Sequence, residues 1–387
     1  MKRPRLPPVV WALGAVSFCS DVASEMIVPL LPVFLAQLGG TRLDLGLLQG
    51  ASDLCVAALK LLSGWISDHQ RRRKPWMLVG YGLSALLRPL FAVVATPWQA
   101  VAVRTADRVG KGLRSAPRDA LLSGAVDPSV RGRAFGVVRG LDHAGAVLGA
   151  LLAALLLAIG VETRTVFALA LLPGVLGVLV IALAVRDAPA PPFRDRAPVP
   201  RGRLRPLRPF LVVVALSAFG AGTDLFVLAR AGELGTAPAL LPILWAVLHA
   251  VRSLLAAPLG GWSDRLGRRR VIAVGLVAHA AVLGLFGAAD GALAVWLLMP
   301  LLGLHAAFTE GAERGLVADL TGGHRQGTAF GVYHAVQGLA GFAAPLALGA
   351  LWDRAGAGVA FGVAAATSAL AAAVLLAAVA EPGRPRA

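Results

Sequence analysis

A row of basic side chains follows one face of a predicted helix near residue 110. At 100° per residue, the charged positions fall within an arc of about 120°, and small or apolar residues take the other side. The charged positions are Arg104, Asp107, Arg108, Lys111, Arg114 and Arg118. Guanidinium groups bind carboxylates and phosphates through paired hydrogen bonds. This face could therefore bind a solute that carries negative charge.

Acidic side chains on a neighbouring predicted helix could carry protons. Asp21 and Glu25 form an i, i+4 pair on one helix face. The pKa of an acid changes when the hydration around it or its distance from a cation changes, as proton coupling requires. We therefore expect Asp21 or Glu25 to be the protonation site, modulated by Arg108 and Lys111. A static network of salt bridges would give the same pattern and remains open.

Candidate cavity residues in the second half of the chain are fewer. They are Asp224, Glu310, Glu313, Arg314 and His334. We expect Glu310 and Glu313 to bind solute or a second proton. The alternative is that both acids pair with Arg314 and only hold helices together.

The composition indicates which elements position these residues. The chain has 387 residues, of which 57% are hydrophobic and only 15% are charged, against about 25% charged in soluble domains. A spanning helix needs roughly 20 mostly apolar residues, so the length allows about twelve crossings. The predicted spans are near 9–38, 44–66, 75–95, 98–125, 133–160, 163–186, 208–231, 238–262, 271–289, 291–320, 327–353 and 356–380. We expect an all-α integral membrane protein, and a water-soluble enzyme is excluded.

The charged faces must be turned away from lipid. A charge at the bilayer centre costs at least about 2.5–3.5 kcal/mol, so the cations of the fourth span must face water, solute or carboxylates. In the N-terminal half, the acids within spans are Asp21, Glu25, Asp53, Asp107, Asp119 and Asp142. The bases are Lys60, Arg88, Arg104, Arg108, Lys111, Arg114, Arg118 and Arg139. This half therefore remains net positive.

The net charge of +16 follows membrane topology and does not indicate nucleic-acid binding. Most cations lie in segments on the side of both termini, including 2–5, 71–74, 194–208 and 265–270. The opposite loops and span ends hold Arg42, Arg164, Arg230 and Arg354. The positive-inside rule then predicts a cell-membrane protein with both termini in the cytoplasm. The basic start is read as part of an uncleaved first span, because its apolar run continues to Leu38.

The chain divides into two similar halves. Residues 187–207 are rich in proline and arginine and predict a cytoplasmic linker between six-helix bundles at 1–186 and 208–387. Gly64 and Asp68 recur as Gly260 and Asp264 after 196 residues, and the run 134–136 recurs at 329–331. An even number of crossings makes the halves parallel repeats, related by a pseudo-two-fold axis along the membrane normal.

One loop carries a motif that is specific. Residues 260–269 read Gly-Gly-Trp-Ser-Asp-Arg-Leu-Gly-Arg-Arg, a complete G-x-x-x-D-R-x-G-R-R pattern. The sequence resembles the major facilitator superfamily, in which this pattern is the signature of a loop between two helices. The first-half copy is degraded, because His69 replaces the first arginine and Arg71 replaces the second glycine.

The resemblance implies roles for particular residues. It implies alternating access about a cavity lined by spans 1, 4, 7 and 10. The loop motifs would clamp and release a cytoplasmic gate; the alternative is a tight turn with anchoring cations. The gating residues are Gly64, Asp68, Arg72, Arg73, Gly260, Asp264, Arg265, Gly267, Arg268 and Arg269. Residues 108–112 resemble the R-x-x-q-G pattern of proton-coupled members, which gives Arg108 the coupling role, with Lys111 in place of glutamine.

We expect a proton-coupled secondary transporter of a small organic solute, with no cofactor and no metal. The two cysteines do not have the spacing of metal ligands. The sequence contains no G-x-x-x-x-G-K-[ST] phosphate-binding loop, so any active transport draws on a gradient or a separate ATPase. The expected partners are the solute, protons and the lipid bilayer, and we expect a monomer. The alternatives are a multidrug exporter, a permease subunit and a non-transporting membrane sensor. Gly145 and Gly149 precede no proline, whereas antiporters of the family have Gly-Pro there, which disfavours drug efflux.

Overall fold

The computed structural model describes residues 6–69, 72–126, 131–187, 206–320 and 326–379. These ranges are predominantly helical and contain no strand, so the all-α prediction is confirmed. The first half contains α1 (Pro8–Glu25), α2 (Leu31–Gln37), α3 (Arg42–His69), α4 (Lys74–Leu87), α5 (Pro97–Ala125), α6 (Arg131–Ala158), α7 (Thr163–Leu169) and α8 (Leu171–Ala184). The second half contains α9 (Arg208–Ala221), α10 (Asp224–Glu233), α11 (Leu241–Leu266), α12 (Arg268–Ala288), α13 (Ala292–Leu320) and α14 (Gln326–Ala378).

Several predicted spans are interrupted. The first is broken into α1 and α2 by a short 3-10 turn, Val28–Leu30, that contains Pro29. The seventh is broken into α9 and α10 at Gly222 and Thr223. The last two spans run together as α14, within which Gly356 is non-helical with φ of 85°. Proline and glycine interrupt the helical hydrogen-bond ladder, which accounts for the breaks at Pro29 and Gly356.

Within the described ranges, nine helical segments are long and apolar enough to cross a membrane. The last of them, 331–378, includes two predicted spans. α3 and α5 are outside this set although they have 28 and 29 residues. Both helices carry charged residues along their length, which makes them less apolar. α5, the helix with the basic face, is therefore not among the nine segments.

The turns repeat between the halves. Gly39 and Gly235 both have a positive φ, 80° and 89°, and lie 196 residues apart. Gly160 and Gly356, with φ of 86° and 85°, have the same separation. Only glycine adopts this conformation without a steric cost. The backbone therefore turns at matching points with the spacing that the sequence repeat predicts.

One compact unit, unit 1, comprises Met1–Gly40, Ala51–Asp195 and Ala237–Ala246. In it, α1 packs against α6 and α8, and α4 packs against α5. Its apolar core includes Val10, Leu13, Met77, Leu121 and Ile181. This packing places the basic face of α5 within reach of α1 and α4.

The other compact unit, unit 2, comprises Thr41–Gly50, Arg196–Thr236 and Val247–Ala387. In it, α14 packs against α9 and α12, and α12 packs against α13. The core includes Phe210, Ile272, Leu316, Tyr333 and Leu375. Most of the predicted linker 187–207 lies outside the described residues, so the domain bounds 1–186 and 208–387 stay a prediction.

Candidate functional site

α5 begins at a capping box that fixes where its basic face starts. Thr96 Oγ1 accepts a hydrogen bond from the backbone N–H of Gln99, and Gln99 Oε1 accepts from the backbone N–H of Thr96 at 3.2 Å. Pro97 occupies the first helical position, where a backbone N–H would have no partner within the helix. Proline has no N–H and therefore fits this position. The helix then continues to Ala125, so all six charged positions share it.

Close contact between α4 and α5 brings a further arginine to this face. A Cβ atom added at Gly110 would lie 2.5 Å from the carbonyl oxygen of Gly80, and one added at Gly80 would lie 2.7 Å from that of Gly110. Both positions therefore require glycine. The approach carries Arg88, immediately after α4, alongside Asp107.

Three guanidinium groups converge on Asp107, which is fully buried. Arg88 Nε donates to Asp107 Oδ1 at 3.1 Å, and Arg108 donates to Oδ2 through Nε at 3.0 Å and through Nη2. Arg104 Nη1 lies 3.7 Å from Oδ2. Each of the three arginines is at most 9% exposed. Because both oxygens of Asp107 are occupied, we assign it to anchoring the arginines and not to contacting a solute.

Serines of α1 provide acceptors for the same face, and the sequence analysis missed them. Ser20 Oγ accepts from Arg114 Nη2 at 2.9 Å, and the carbonyl oxygen of Ser20 accepts from Arg88 Nη1 at 2.8 Å. Ser17 Oγ accepts from Arg118 Nη1 at 2.8 Å. The spacing of Ser17, Ser20 and Ser24 puts them on one helix face. This spacing is the signal that would have identified them.

The last two cations of the face have different surroundings. Arg114 lies over the ring of Tyr81, 4.0 Å from its centroid, and its Nη1 is buried without a hydrogen-bond partner. Arg118 Nε donates to Asp119 at 3.0 Å, and its Nη1 lies 3.7 Å from Asp142. Arg118 is therefore paired with carboxylates, whereas Arg114 retains an unused donor.

The predicted acids Asp21 and Glu25 are half-buried on α1, as is Lys111 on α5. Arg104 and Arg108 interact electrostatically with Glu25, and Lys111 does so with Asp21. Glu25 Oε2 also accepts a hydrogen bond from Trp245 Nε1 at 2.7 Å. The structure thus brings the predicted acids and cations together within unit 1, with Trp245 as an unforeseen member.

In unit 2, a second polar group forms around Glu313. Tyr333 donates its hydroxyl hydrogen to Glu313 Oε2 at 2.7 Å, and Gln337 Nε2 donates to the Tyr333 hydroxyl oxygen at 2.7 Å. His334 Nδ1 lies 3.0 Å from Gln337 Oε1. Arg314 is exposed, and the side chain of Glu310 lies outside the described residues. Glu313 is therefore hydrogen-bonded to a helix other than its own.

Asp224 forms an ion pair with an arginine on α11. Arg252 Nη2 lies 2.9 Å from Asp224 Oδ1 and 3.0 Å from Oδ2. Both side chains are about one-fifth exposed.

Two cations, Arg269 of the second loop motif and Lys74 directly after the first, cap helices. Arg269 donates to the carbonyl oxygens of Leu376 and Val379 at the end of α14, and Lys74 donates to that of Ala182 at the end of α8. Cations at helix carboxyl ends are favourable. Gly267 forms the turn between α11 and α12 with φ of 94°.

Other motif residues are placed as follows. Arg73 Nη1 donates to the carbonyl oxygen of Ala120, Arg268 Nη1 lies 3.0 Å from Asp319 Oδ2, and Arg72 is exposed. The surroundings of Gly64, Asp68, Gly260, Asp264 and Arg265 are not among the described features, so gating by these residues stays a prediction.

Among the residues that the structure describes, no group of three or more His, Cys, Asp or Glu side chains could hold a metal ion. The described site consists of guanidinium and ammonium groups beside carboxylates and serine hydroxyls.

Comparison with known proteins identifies the architecture. The family model of the Major Facilitator Superfamily matches residues 13–250 and 210–387. An uncharacterized MFS-type transporter of Methanocaldococcus jannaschii is 31% identical over 356 residues, 89% of this chain and 88% of its own. A multidrug resistance protein, MdtH of Edwardsiella ictaluri, is 29% identical over 250 residues, 62% of this chain and 60% of its own.

A solved structure gives the same result for the fold. The crystal structure of a D-xylose-proton symporter matches with a TM-score of 0.77 at 15% identity, covering 97% of this chain and 98% of that one. This similarity shows the fold alone. The predicted twelve-helix, two-bundle membrane architecture is confirmed by this match.

Proposed function

The chain belongs to the major facilitator superfamily, a family of multi-pass membrane transporters, and we propose that it is a proton-coupled secondary active transporter of a small organic anion. It moves this solute across the cytoplasmic membrane by alternating access, with both termini in the cytoplasm. The observation that carries the proposal is the convergence of Arg88, Arg104 and Arg108 on the single buried carboxylate of Asp107.

The charge balance of this cluster supports an anionic solute. One carboxylate cannot neutralise three guanidinium groups, and Lys111 and Arg114 add two further cations beside it. Asp21 and Glu25 offset only part of this excess. Uncompensated charge inside a membrane protein is costly, so a bound carboxylate or phosphate would stabilise the site.

The hydrogen-bonding state of the arginines indicates which of them bind the solute. Arg88 and Arg108 are held by Asp107 and by α1, whereas Arg114 Nη1 has no partner. A buried unpaired donor costs about 1–3 kcal/mol, which a solute oxygen would recover. Arg114, with Arg104 and Lys111, therefore forms the proposed anion site.

Proton coupling is assigned to Asp21 and Glu25, with Arg108 as the cation that senses them. The two acids are half-buried and lie on α1, facing the basic helix. When solute neutralises part of the positive charge, the ionised acids lose stabilisation and take up protons more easily. Binding of an anion and of a proton is then cooperative.

The test begins with purified protein in detergent, screened by thermal shift against matched sets of organic carboxylates, phosphates and organic cations. The proposal expects stabilisation by anions, reduced in Arg114→Gln. The best anion is then offered to liposomes that contain the purified chain and have only a pH gradient. Uptake that follows the gradient, and that loses its pH dependence in Asp21→Asn or Glu25→Gln, supports the proposal. Wild-type rate and pH dependence in both variants would overturn the coupling assignment.

A second candidate is a proton-driven multidrug exporter, which the similarity to MdtH favours. Asp21, Glu25, Glu310 and Glu313 would then bind lipophilic cations and protons. Stabilisation by lipophilic cations and not by anions in the same screen would favour this candidate. Solute binding without flux in liposomes would indicate a permease subunit that needs an ATPase, and neither binding nor flux would indicate a sensor.

A further inference from the structure

Trp245 meets Glu25 from a distant part of the chain. Its Nε1 donates to Glu25 Oε2 at 2.7 Å, although the two residues are 220 positions apart. Trp245 is 6% exposed, and a buried indole N–H normally requires an acceptor. Hydrogen bonds to an ionised partner are roughly twice as strong as neutral ones. The contact is therefore stronger when Glu25 carries its negative charge.

Three further charged groups act on Glu25 from helices α1 and α5. Asp21 lies one turn earlier on α1, and Arg104 and Arg108 act on Glu25 from α5. Trp245 belongs to α11, on which His249 follows one turn later. The first residues of α11, up to Ala246, belong to unit 1, and the helix continues into unit 2 from Val247. Trp245 thus joins the proposed proton site to the amino end of α11 within unit 1.

We propose that Trp245 is a positioning residue for proton coupling. Its indole N–H binds the ionised form of Glu25, and protonation of Glu25 weakens this hydrogen bond and loosens the amino end of α11 from α1. The inference rests on the proposed function, in which Glu25 carries the proton. It adds the means by which protonation would reach α11.

Tryptophan fluorescence of the full chain in detergent tests this without any solute, because the proton is the probe. The chain has eight tryptophans, so the emission of Trp245 is obtained as the difference between wild type and Trp245→Phe. We expect this emission to change as the pH falls and to become independent of pH in the Glu25→Gln background. The matched control is Trp296→Phe on α13, whose difference emission should respond to pH equally with and without Glu25→Gln.

Two outcomes would overturn the inference. One is Trp245 emission that does not change with pH, and the other is a change that persists unaltered in Glu25→Gln. If Trp245→Phe fails to fold, the total emission of wild type can still be compared with that of Glu25→Gln as the pH falls, because both proteins retain the Trp245 indole. Identical pH responses of the total emission in the two proteins would then count against the proposal.

Transport separates this inference from the function on which it rests. With the best anion of the thermal-shift screen as solute, Trp245→Phe should shift the pH of half-maximal uptake, because the indole N–H that binds ionised Glu25 is lost. It should add no further shift in the Glu25→Gln background. An unshifted Trp245→Phe profile with pH-dependent wild-type uptake contradicts the inference alone. Wild-type uptake that ignores the pH gradient contradicts the proposed function.

Discussion

Asp353 caps the amino end of α3 by accepting a hydrogen bond from the backbone N–H of Arg42 at 3.0 Å. Its second oxygen accepts from the backbone N–H of Leu43 at 2.8 Å. Arg42 in turn forms an ion pair with Glu233 at 2.7 Å, and its guanidinium lies 5.3 Å from the ring centroid of Trp352. A Cβ atom at Gly349 would lie 2.3 Å from the carbonyl oxygen of Arg42. α14 therefore holds the first turn of α3 by side-chain and backbone contacts.

Asp353→Ala should lower the free energy of unfolding by about 1 kcal/mol, because it removes the acceptor for two backbone N–H groups at a helix start. The measurement is the midpoint of thermal unfolding in detergent. Asp290→Ala is the matched control, since Asp290 is an exposed aspartate in unit 2. It should change stability by less than about 0.5 kcal/mol. Equal effects of the two changes would contradict a capping role for Asp353.

Asp107→Asn should be far more damaging than its conservative chemistry suggests. It leaves the buried Arg88, Arg104 and Arg108 without their shared counter-charge, which costs about 3–5 kcal/mol in comparable cases. Asp119→Asn on the same helix is the control, because the Asp119 side chain is 49% exposed and exposed pairs contribute about 0–1 kcal/mol. Unfolding midpoints measure both changes. A mild Asp107→Asn would show that the arginines are compensated elsewhere.

Tyr333→Phe should destabilise unit 2 by about 1–3 kcal/mol, because the Glu313 carboxylate then loses its hydroxyl donor in a buried position. The chain has only two tyrosines, which supplies a matched control. Tyr81→Phe keeps the ring over which Arg114 lies, so we expect a smaller loss. Thermal unfolding distinguishes the two, and a larger loss in Tyr81→Phe would count against the Glu313 network.

Arg114→Lys should impair anion binding even though it preserves the charge. Lysine has no planar group to lie over Tyr81 and no fork that could reach both Ser20 and a solute oxygen. We expect the stabilisation by the best anion to fall by about half or more in the thermal-shift assay, because Nη2 of Arg114 binds Ser20 and Nη1 is the donor left for a solute oxygen. Arg139→Lys, at an exposed position, is the control that should keep wild-type stabilisation.

The sequence predicted features that depend on periodicity within one helix. The basic face of α5 follows from 100° per residue, and the number of spans follows from apolar run lengths. Contacts between distant positions could not be predicted in this way. Trp245 reaches Glu25 because the first residues of α11, 241–246, belong to unit 1, and no local sequence pattern encodes that contact.

The breaks within helices were also beyond the sequence analysis. Residues 9–38 read as one apolar run, because apolar side chains continue through the turn that contains Pro29. The serines of α1 were missed since a serine within a membrane helix often bonds only to its own backbone. Only the facing arginines distinguish Ser17 and Ser20 from such residues.

The central claim is that the basic face of α5 lines a water-filled site that accepts an anion. Its most direct test places a single cysteine at Lys111→Cys, in a chain with Cys19→Ser and Cys55→Ser, and measures labelling in liposomes by a water-soluble, membrane-impermeant maleimide. The control is Val79→Cys, on α4, where the native side chain is 56% exposed on an apolar surface. We predict that Lys111→Cys is labelled, that the best anion of the thermal-shift screen protects it, and that Val79→Cys is not labelled. Absence of labelling at Lys111→Cys in the folded protein would contradict the account.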